Sequence, residues 1–263
     1  MRSASPIQVT EELIEFVDGL LLGDACVSLL GRLDIGQSGD HRPWVQDIYD
    51  RFLRLKVQST LTETLGGRAE IKGKVCVRKA RTTLRTRTYV WFREQRQRWY
   101  PGGLKAVPSD VRLTPLSLAG WLCGDGCLGG KGYRVEFCTD GFPPNNVQWL
   151  SSELNRRFGW GTHVSKQNRI VLCRQADRDT LFLMVDSHVP ECFRHKVQLK
   201  TRSSYFKLDS EKTRELMQLR TQGWSLKRLA AHFSMSKTGV GSAIQVASLA
   251  TISIPVDSQA RPH

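Results

Sequence analysis

The chain has 263 residues, 40% of them hydrophobic, enough to bury a core in one large or two modest domains. A formal net charge of +14 points to a polyanionic partner, and since no apolar run approaches the ~18 residues of a membrane span, that partner is nucleic acid rather than a bilayer. Seven cysteines without a pairing pattern, and no signal-like N-terminal segment, exclude a disulfide-built secreted scaffold and point to an intracellular site, cytoplasmic or organellar, with the thiols in the core.

Residues 1–10 carry no periodic signal and read as a leader, after which Thr10 caps a helix whose first turn holds Glu11 and Glu12 and which runs to Asp24. Two stretches then organise everything else: residues 17–25 (VDGLLLGDA) and 118–126 (LAGWLCGDG). In each, glycines stand four apart, Gly19/Gly23 and Gly120/Gly124, leaving one helix face without side chains so that a second helix can approach backbone to backbone. Each then ends in an aspartate, Asp24 or Asp125, where the helix dipole disfavours a carboxylate. Packed side by side, two such helices bring both carboxylates and the last free carbonyls to one all-oxygen site suited to Mg²⁺ or Ca²⁺.

The same order of elements recurs after each aspartate. Residues 32–35 alternate as a strand, 36–43 read as a loop, 44–55 as a helix, 74–78 as part of a hairpin and 89–100 as a closing helix. In the second copy, 133–138 alternate with Arg134 and Glu136 on the wet face, 147–158 return to helical spacing and 169–174 supply a strand. The expected fold is α+β: two pseudo-symmetric αββαββα repeats whose antiparallel sheets form a basic saddle. Arg32, Lys72, Lys74, Arg78, Arg134, Lys166, Arg169 and Arg174 are the candidate groove contacts. Cys123 and Cys127 lie four apart, but no second pair stands at finger-like spacing, so zinc is not expected.

Residues 118–126, led in by Leu113-Thr114-Pro115-Leu116-Ser117, resemble the signature of the LAGLIDADG homing endonucleases, and residues 19–25 resemble the variant usual in the first repeat of the single-chain, two-motif form. The resemblance implies a metal-dependent double-strand cut in a long DNA site bound by a monomer, with no protein partner. It gives Asp24 and Asp125, with the carbonyls of Gly23 and Gly124, the role of metal ligands. Mg²⁺ is implied, with Mn²⁺ substituting and Ca²⁺ binding without cleavage. It also implies one basic residue per half near the scissile phosphate, which local context assigns to Lys105 and Lys196. Two other activities share the architecture: a non-cleaving transcription regulator of the WhiA type, and an RNA maturase for a group I intron.

Beyond the repeats, residues 211–223, 225–233 and 236–245 read as three short helices around Leu216, Leu219, Leu229, Ala230, Phe233, Met235, Val240 and Ile244. They resemble a helix-turn-helix, except that Ser234 stands where the turn usually has glycine. Its second helix would offer Lys237, Thr238, Ser242 and Gln245 to a major groove. The expected divisions are a leader at 1–10, a first repeat at 11–104, a second at 105–207, the helix-turn-helix at 208–247 and a tail at 248–263.

Overall fold

In a computed structural model, residues 7–71, 74–129, 133–198, 210–237, 239–241, 243–244 and 247 are described. The leader's first six residues, the tail, Lys72, Thr238, Ser242 and Gln245 lie outside them, as does the side chain of Lys74. The chain divides into two compact units, residues 1–199 and 200–263.

The larger unit is built twice over. Helix α1 (Glu11–Leu22) starts where Thr10 Oγ1 accepts from the Leu13 amide at 3.2 Å. Strands β1 (Cys26–Val27) and β2 (Leu33–Ser38), helix α2 (Arg42–Arg54), strands β3 (Ser59–Thr64), β4 (Gly67–Ile71), β5 (Lys74–Arg78) and β6 (Arg81–Thr86), and helix α3 (Val90–Trp99) follow. The second copy begins with α4 (Pro115–Asp125), entered through a capping box in which Thr114 and Ser117 satisfy each other's backbone amides. It continues through β7 (Gly126–Gly129), β8 (Arg134–Phe137), α5 (Pro144–Phe158), β9 (His163–Val164), β10 (Ile170–Leu172) and α6 (Gln175–Val185). Two antiparallel four-stranded sheets result, ordered β1-β2-β6-β3 and β7-β8-β10-β9, with β4-β5 as a separate two-stranded ribbon. No described helix is long and apolar enough to cross a membrane.

Two expected element boundaries differ from those observed. The segment expected to be a loop from residue 36 stays extended as far as Ser38, because Gly36, Gln37 and Ser38 pair with Thr83, Thr82 and Arg81 of a strand far along the chain. Helix α1 stops at Leu22, so Asp24 lies two residues past the helix, whereas Asp125 is the last helical residue of α4.

Apolar burial centres on α1 and α4. Glycine positions set the approach: a Cβ built on Gly19 would lie 2.5 Å from the Ser117 carbonyl oxygen, and one on Gly120 3.1 Å from the Gly19 carbonyl carbon. One on Gly124 would lie 3.1 Å from the Gly23 Cα. Contacts that advance in the same direction along both chains make the helices parallel. Trp121 stacks on Phe137 at 4.0 Å between centroids, while Phe16, Phe52 and Phe92 make edge contacts under the first sheet. The cysteines are not mainly core groups: only Cys123 is buried, and Cys26, Cys76 and Cys173 are exposed.

In the smaller unit, α7 (Ser210–Thr221) and α8 (Leu226–His232, capped by Ser225) precede a helical stretch that includes Lys237, residues 239–241 and 243–244. Leu216, Leu229, Ala230 and Val240 are buried together, with Leu219, Trp224, Phe233, Met235 and Ile244 packed on them. Ser234 holds φ +51°, the left-handed turn that glycine would adopt without strain.

Candidate functional site

The parallel glycine contact delivers both motif aspartates to the same end of the helix pair. A Cβ on Gly124 would meet Asp24 Oδ2 at 3.5 Å, and one on Gly23 would meet the Asp125 amide nitrogen at 3.7 Å. Their environments differ. Asp24 is exposed and accepts a hydrogen bond from Gln37 Nε2 at 2.5 Å; Gln37 Oε1 in turn lies 3.3 Å from His41 Nδ1. Asp125 is half-buried, and its carboxyl is pushed up to about 6, first by burial and then by the charge of Asp24, with Lys105 and Lys196 pulling the other way. A pair of carboxylates that repel each other at the mouth of a low-dielectric crossing is a place where a cation is favoured.

Lys105 and Lys196 are each held at the C-terminal end of one of the two motif helices. Lys105 Nζ donates to the Gly23 carbonyl at 3.0 Å and the Ala25 carbonyl at 3.1 Å, and lies 5.3 Å from the Phe142 ring centroid. Lys196 Nζ donates to Leu122 O at 3.1 Å and Cys123 O at 2.6 Å, and lies 4.4 Å from the Phe193 ring. Burial lowers the pKa of both ammonium groups, and the two aspartates oppose that shift. The Gly23 carbonyl is therefore held by Lys105, while Gly124 lies at the backbone contact with Asp24. Among the described residues no three His, Cys, Asp or Glu side chains gather into a metal cage; the oxygens at this crossing are those of the two carboxylates and of the neighbouring backbone carbonyls.

The outer faces of the sheets flank this centre. On the first sheet, register places Thr60, Arg85 and Asp34 in one row, Thr62, Thr83 and Gly36 in the next, and Thr64, Arg81 and Ser38 in the third. Arg81 lies across Gly36, where a Cβ would come within 2.6 Å of its guanidinium, beside Asp24 in a cavity of ≈ 300 Å³ shared with Gln37 and Lys79. Only a residue without a side chain lets that guanidinium lie flat on the strand.

Four of the arginines expected to face a groove are engaged within the protein. Arg32 binds Asp34 at 3.1 Å, Arg134 binds Glu136, Arg169 binds Asp140 at 3.2 Å, and Arg174 binds Asp177 at 2.8 Å. The charge alternation at residues 133–138 hides this, because it predicts a solvated Glu136, whereas Glu136 is 8% exposed and held by Arg134 and Arg169. Arg78 and Lys166 are exposed at the end of β5 and in the β9–β10 turn, and Lys237 is exposed in the smaller unit. Gln37, Lys79 and Arg81 were not singled out from sequence. The dense basic run from residue 78 was the available signal, but the pairing that carries it to Asp24 is long-range.

Comparison with known proteins agrees with this geometry. The profile of the LAGLIDADG DNA endonuclease family matches residues 14–179. An uncharacterized protein of Methanocaldococcus jannaschii is 31% identical over 197 residues, covering 72% of this chain and 75% of the relative. The cytochrome b mRNA maturase bI2 of Debaryomyces hansenii is 28% identical over 184 residues, covering 67% of this chain and 66% of the maturase. Among solved structures, the homing endonuclease I-WcaI bound to its DNA recognition sequence shares the fold, with a TM-score of 0.61 at 18% identity over 74% of this chain and 89% of that one. A family match across more than half the chain, spanning both glycine-lined helices and both sheets, settles its membership: the chain belongs to the LAGLIDADG DNA endonuclease family.

Proposed function

We propose that the protein is a monomeric, site-specific endonuclease that cuts both strands of a long DNA target with the help of a divalent cation. One observation carries the reading: Asp24 and Asp125 meet at a single crossing, each beside a lysine ammonium. Hard oxygen donors suit Mg²⁺, with Mn²⁺ able to substitute and Ca²⁺ able to bind without supporting cleavage. Asp24 and Asp125 would hold the ion, which would supply charge neutralisation at the phosphate and a water activated near neutral pH. The chain's own groups do the rest. Gln37 orients the Asp24 carboxylate, and Lys105 and Lys196 place cations where the developing phosphorane and the leaving oxygen gather charge. Arg78, Arg81, Lys166 and the threonine rows of the first sheet line the groove-facing surface, with Lys74 on the ribbon strand β5. For the smaller unit we infer a helix-turn-helix that adds grip through Lys237, so removing residues 208–263 should weaken binding and lower its salt dependence while cleavage persists.

The decisive measurement is incubation with a plasmid library in Mg²⁺ followed by sequencing of the ends. Asp24→Asn and Asp125→Asn are each expected to slow cleavage at least ~100-fold while DNA affinity stays within about tenfold. Absence of linear product at any sequence would favour a non-cleaving regulator. The likeness to a maturase favours one second reading, an RNA maturase, and a splicing assay on a group I intron tests it.

A further inference from the structure

Asp18 is an anomaly that the nuclease reading does not use. It sits in the middle of α1 on the buried side, its side chain 1% exposed, where an unpaired carboxylate would be strongly unfavourable. Its partners resolve the anomaly. Arg98 grips it with both terminal nitrogens, Nη1 to Oδ1 at 2.5 Å and Nη2 to Oδ2 at 2.9 Å. Trp99 Nε1 donates to Oδ1 at 3.3 Å, and the backbone amide of Arg112 donates to Oδ2 at 2.8 Å. With these four donors the carboxylate is fully engaged, so it serves neither as base nor as metal ligand.

Those donors lie at the two ends of one segment. Arg98 and Trp99 close α3, Arg112 immediately precedes the lead-in to α4, and Lys105 stands between them. Within the segment the only regular piece is a short turn at Pro101–Gly103, where Gly102 and Gly103 both take positive φ. Its other fastenings are Ala106 N to Trp99 O at 2.8 Å, Val107 N to Asn146 Oδ1 at 3.2 Å, the Arg98–Asp110 pair at 2.8 Å, and Val107 and Val111 buried in the core, which leave the stretch from Pro101 to Lys105 itself tied mainly through its ends. A chain of this kind keeps considerable conformational freedom unless its ends are fixed. Asp18 fixes both ends to α1, and Lys105 reaches back to Gly23, at the cap of the same helix. Anchor and target thus share one rigid rod.

We infer that Asp18 is the positioning residue for Lys105, fastening both ends of the segment that carries it so that its ammonium stays beside Asp24 and Asp125. This rests on the endonuclease reading, in which Lys105 serves at the scissile phosphate. The device is one-sided. The position 101 residues on, matching the offset between the two aspartates, is Ala119, and Lys196 is held instead by its own turn at Glu191–Lys196, where Arg194 binds Asp186 at 2.5 Å.

The test is strand-resolved cleavage of a supercoiled plasmid carrying the target, with Asp18→Asn, Lys105→Met and the double variant of the full chain. Asp18→Asn is expected to slow the cutting of one strand about 10- to 100-fold, so that nicked circles accumulate, with the same strand left intact as in Lys105→Met. The double variant should be no slower than Lys105→Met alone, since both changes act through one group, and DNA affinity measured in Ca²⁺ should stay within about threefold. Equal slowing of both strands, additive losses, or affinity falling in step with cleavage would overturn the inference. If Asp18→Asn fails to fold, Arg98→Lys decides: it keeps the charge but not the two-pronged grip, and should give the same strand bias at smaller size. If the wild-type chain cuts nothing, it is the underlying nuclease reading that fails; if Lys105→Met cuts like wild type, the role of Lys105 and with it this inference fail.

Discussion

The two repeats of the larger unit have diverged most where they would meet a partner and least where they meet each other. At the crossing, each contributes a glycine pair and an aspartate, and each motif helix has the carbonyls of its C-terminal end bound by a lysine, Lys105 or Lys196, that lies near a phenylalanine ring. Away from it the symmetry fades. The hairpin closing the first sheet runs from residue 59 to 86 through the β4–β5 ribbon, whereas its counterpart runs only from 163 to 172. At about 3.3 Å per residue, the arms have contour lengths of roughly 45 and 15 Å. Parallel packing fixes the shared centre sterically, while an exposed hairpin lengthens or shortens without disturbing any core.

The helix crossing itself is not quite symmetric, and this gives the largest expected effect. A Cβ at Gly19 meets the Ser117 backbone at 2.5 Å, a contact that only movement of a whole helix relieves, whereas one at Gly120 first meets backbone at 3.1 Å. Gly19→Ala should therefore lose about 1–3 kcal/mol or more of stability. Gly120→Ala should lose clearly less, with part of its cost offset by the ~0.5–1 kcal/mol by which alanine favours a helix. Chemical denaturation of both variants measures the difference; equal losses would mean the closest approach is elsewhere.

Hairpin length makes the next prediction. Replacing residues 66–79 by a two-residue turn joins β3 directly to β6 and keeps Gln37 and Arg81 beside Asp24, removing only Lys79 from that cavity. On the proposed function, affinity should fall about tenfold, roughly 1.4 kcal/mol. Protection from hydroxyl radicals should recede on one half-site only, and cleavage of a saturated target should persist. Recession on both sides would show that the arms do not divide the site between them.

The smallest effect separates the two aspartates. Because the folded protein holds the Asp125 proton up to about 6 against an ordinary value of 3.8, stability declines as pH rises from about 4 to 6 and then levels. Without divalent metal, Asp125→Asn should raise Tm by a few degrees at pH 7.5, at ~2–4 °C per kcal/mol, and by nothing near pH 4. Asp24→Asn, whose carboxylate is exposed, should gain less. Thermal melts in chelator at both pH values check this, and the reverse ranking would place the buried charge at Asp24.

Much of this was legible in one dimension, for identifiable reasons. Glycines four apart followed by an aspartate, repeated 101 residues later, specify a close helix contact because that spacing is local and steric. The three-helix unit was equally readable, since all eight of its expected core residues are among those buried or packed together. Less was legible wherever a side chain's meaning depends on a distant partner. Nothing near Arg134 or Arg169 says that the first would be spent on a buried Glu136 and the second on Asp140 and, more distantly, Glu136, and nothing near Gln37 announces a bond to Asp24.

The doubled architecture, the paired acids and the basic character of the chain are written in one dimension, because periodicity, steric spacing and net charge are properties of neighbours along the backbone. The tertiary structure alone decided which cations remain available, that α1 stops short of Asp24, and that Asp18 reaches across to Arg98, Trp99 and Arg112. Long-range pairing sets burial and ion-pair partners, and those set the electrostatics of a site.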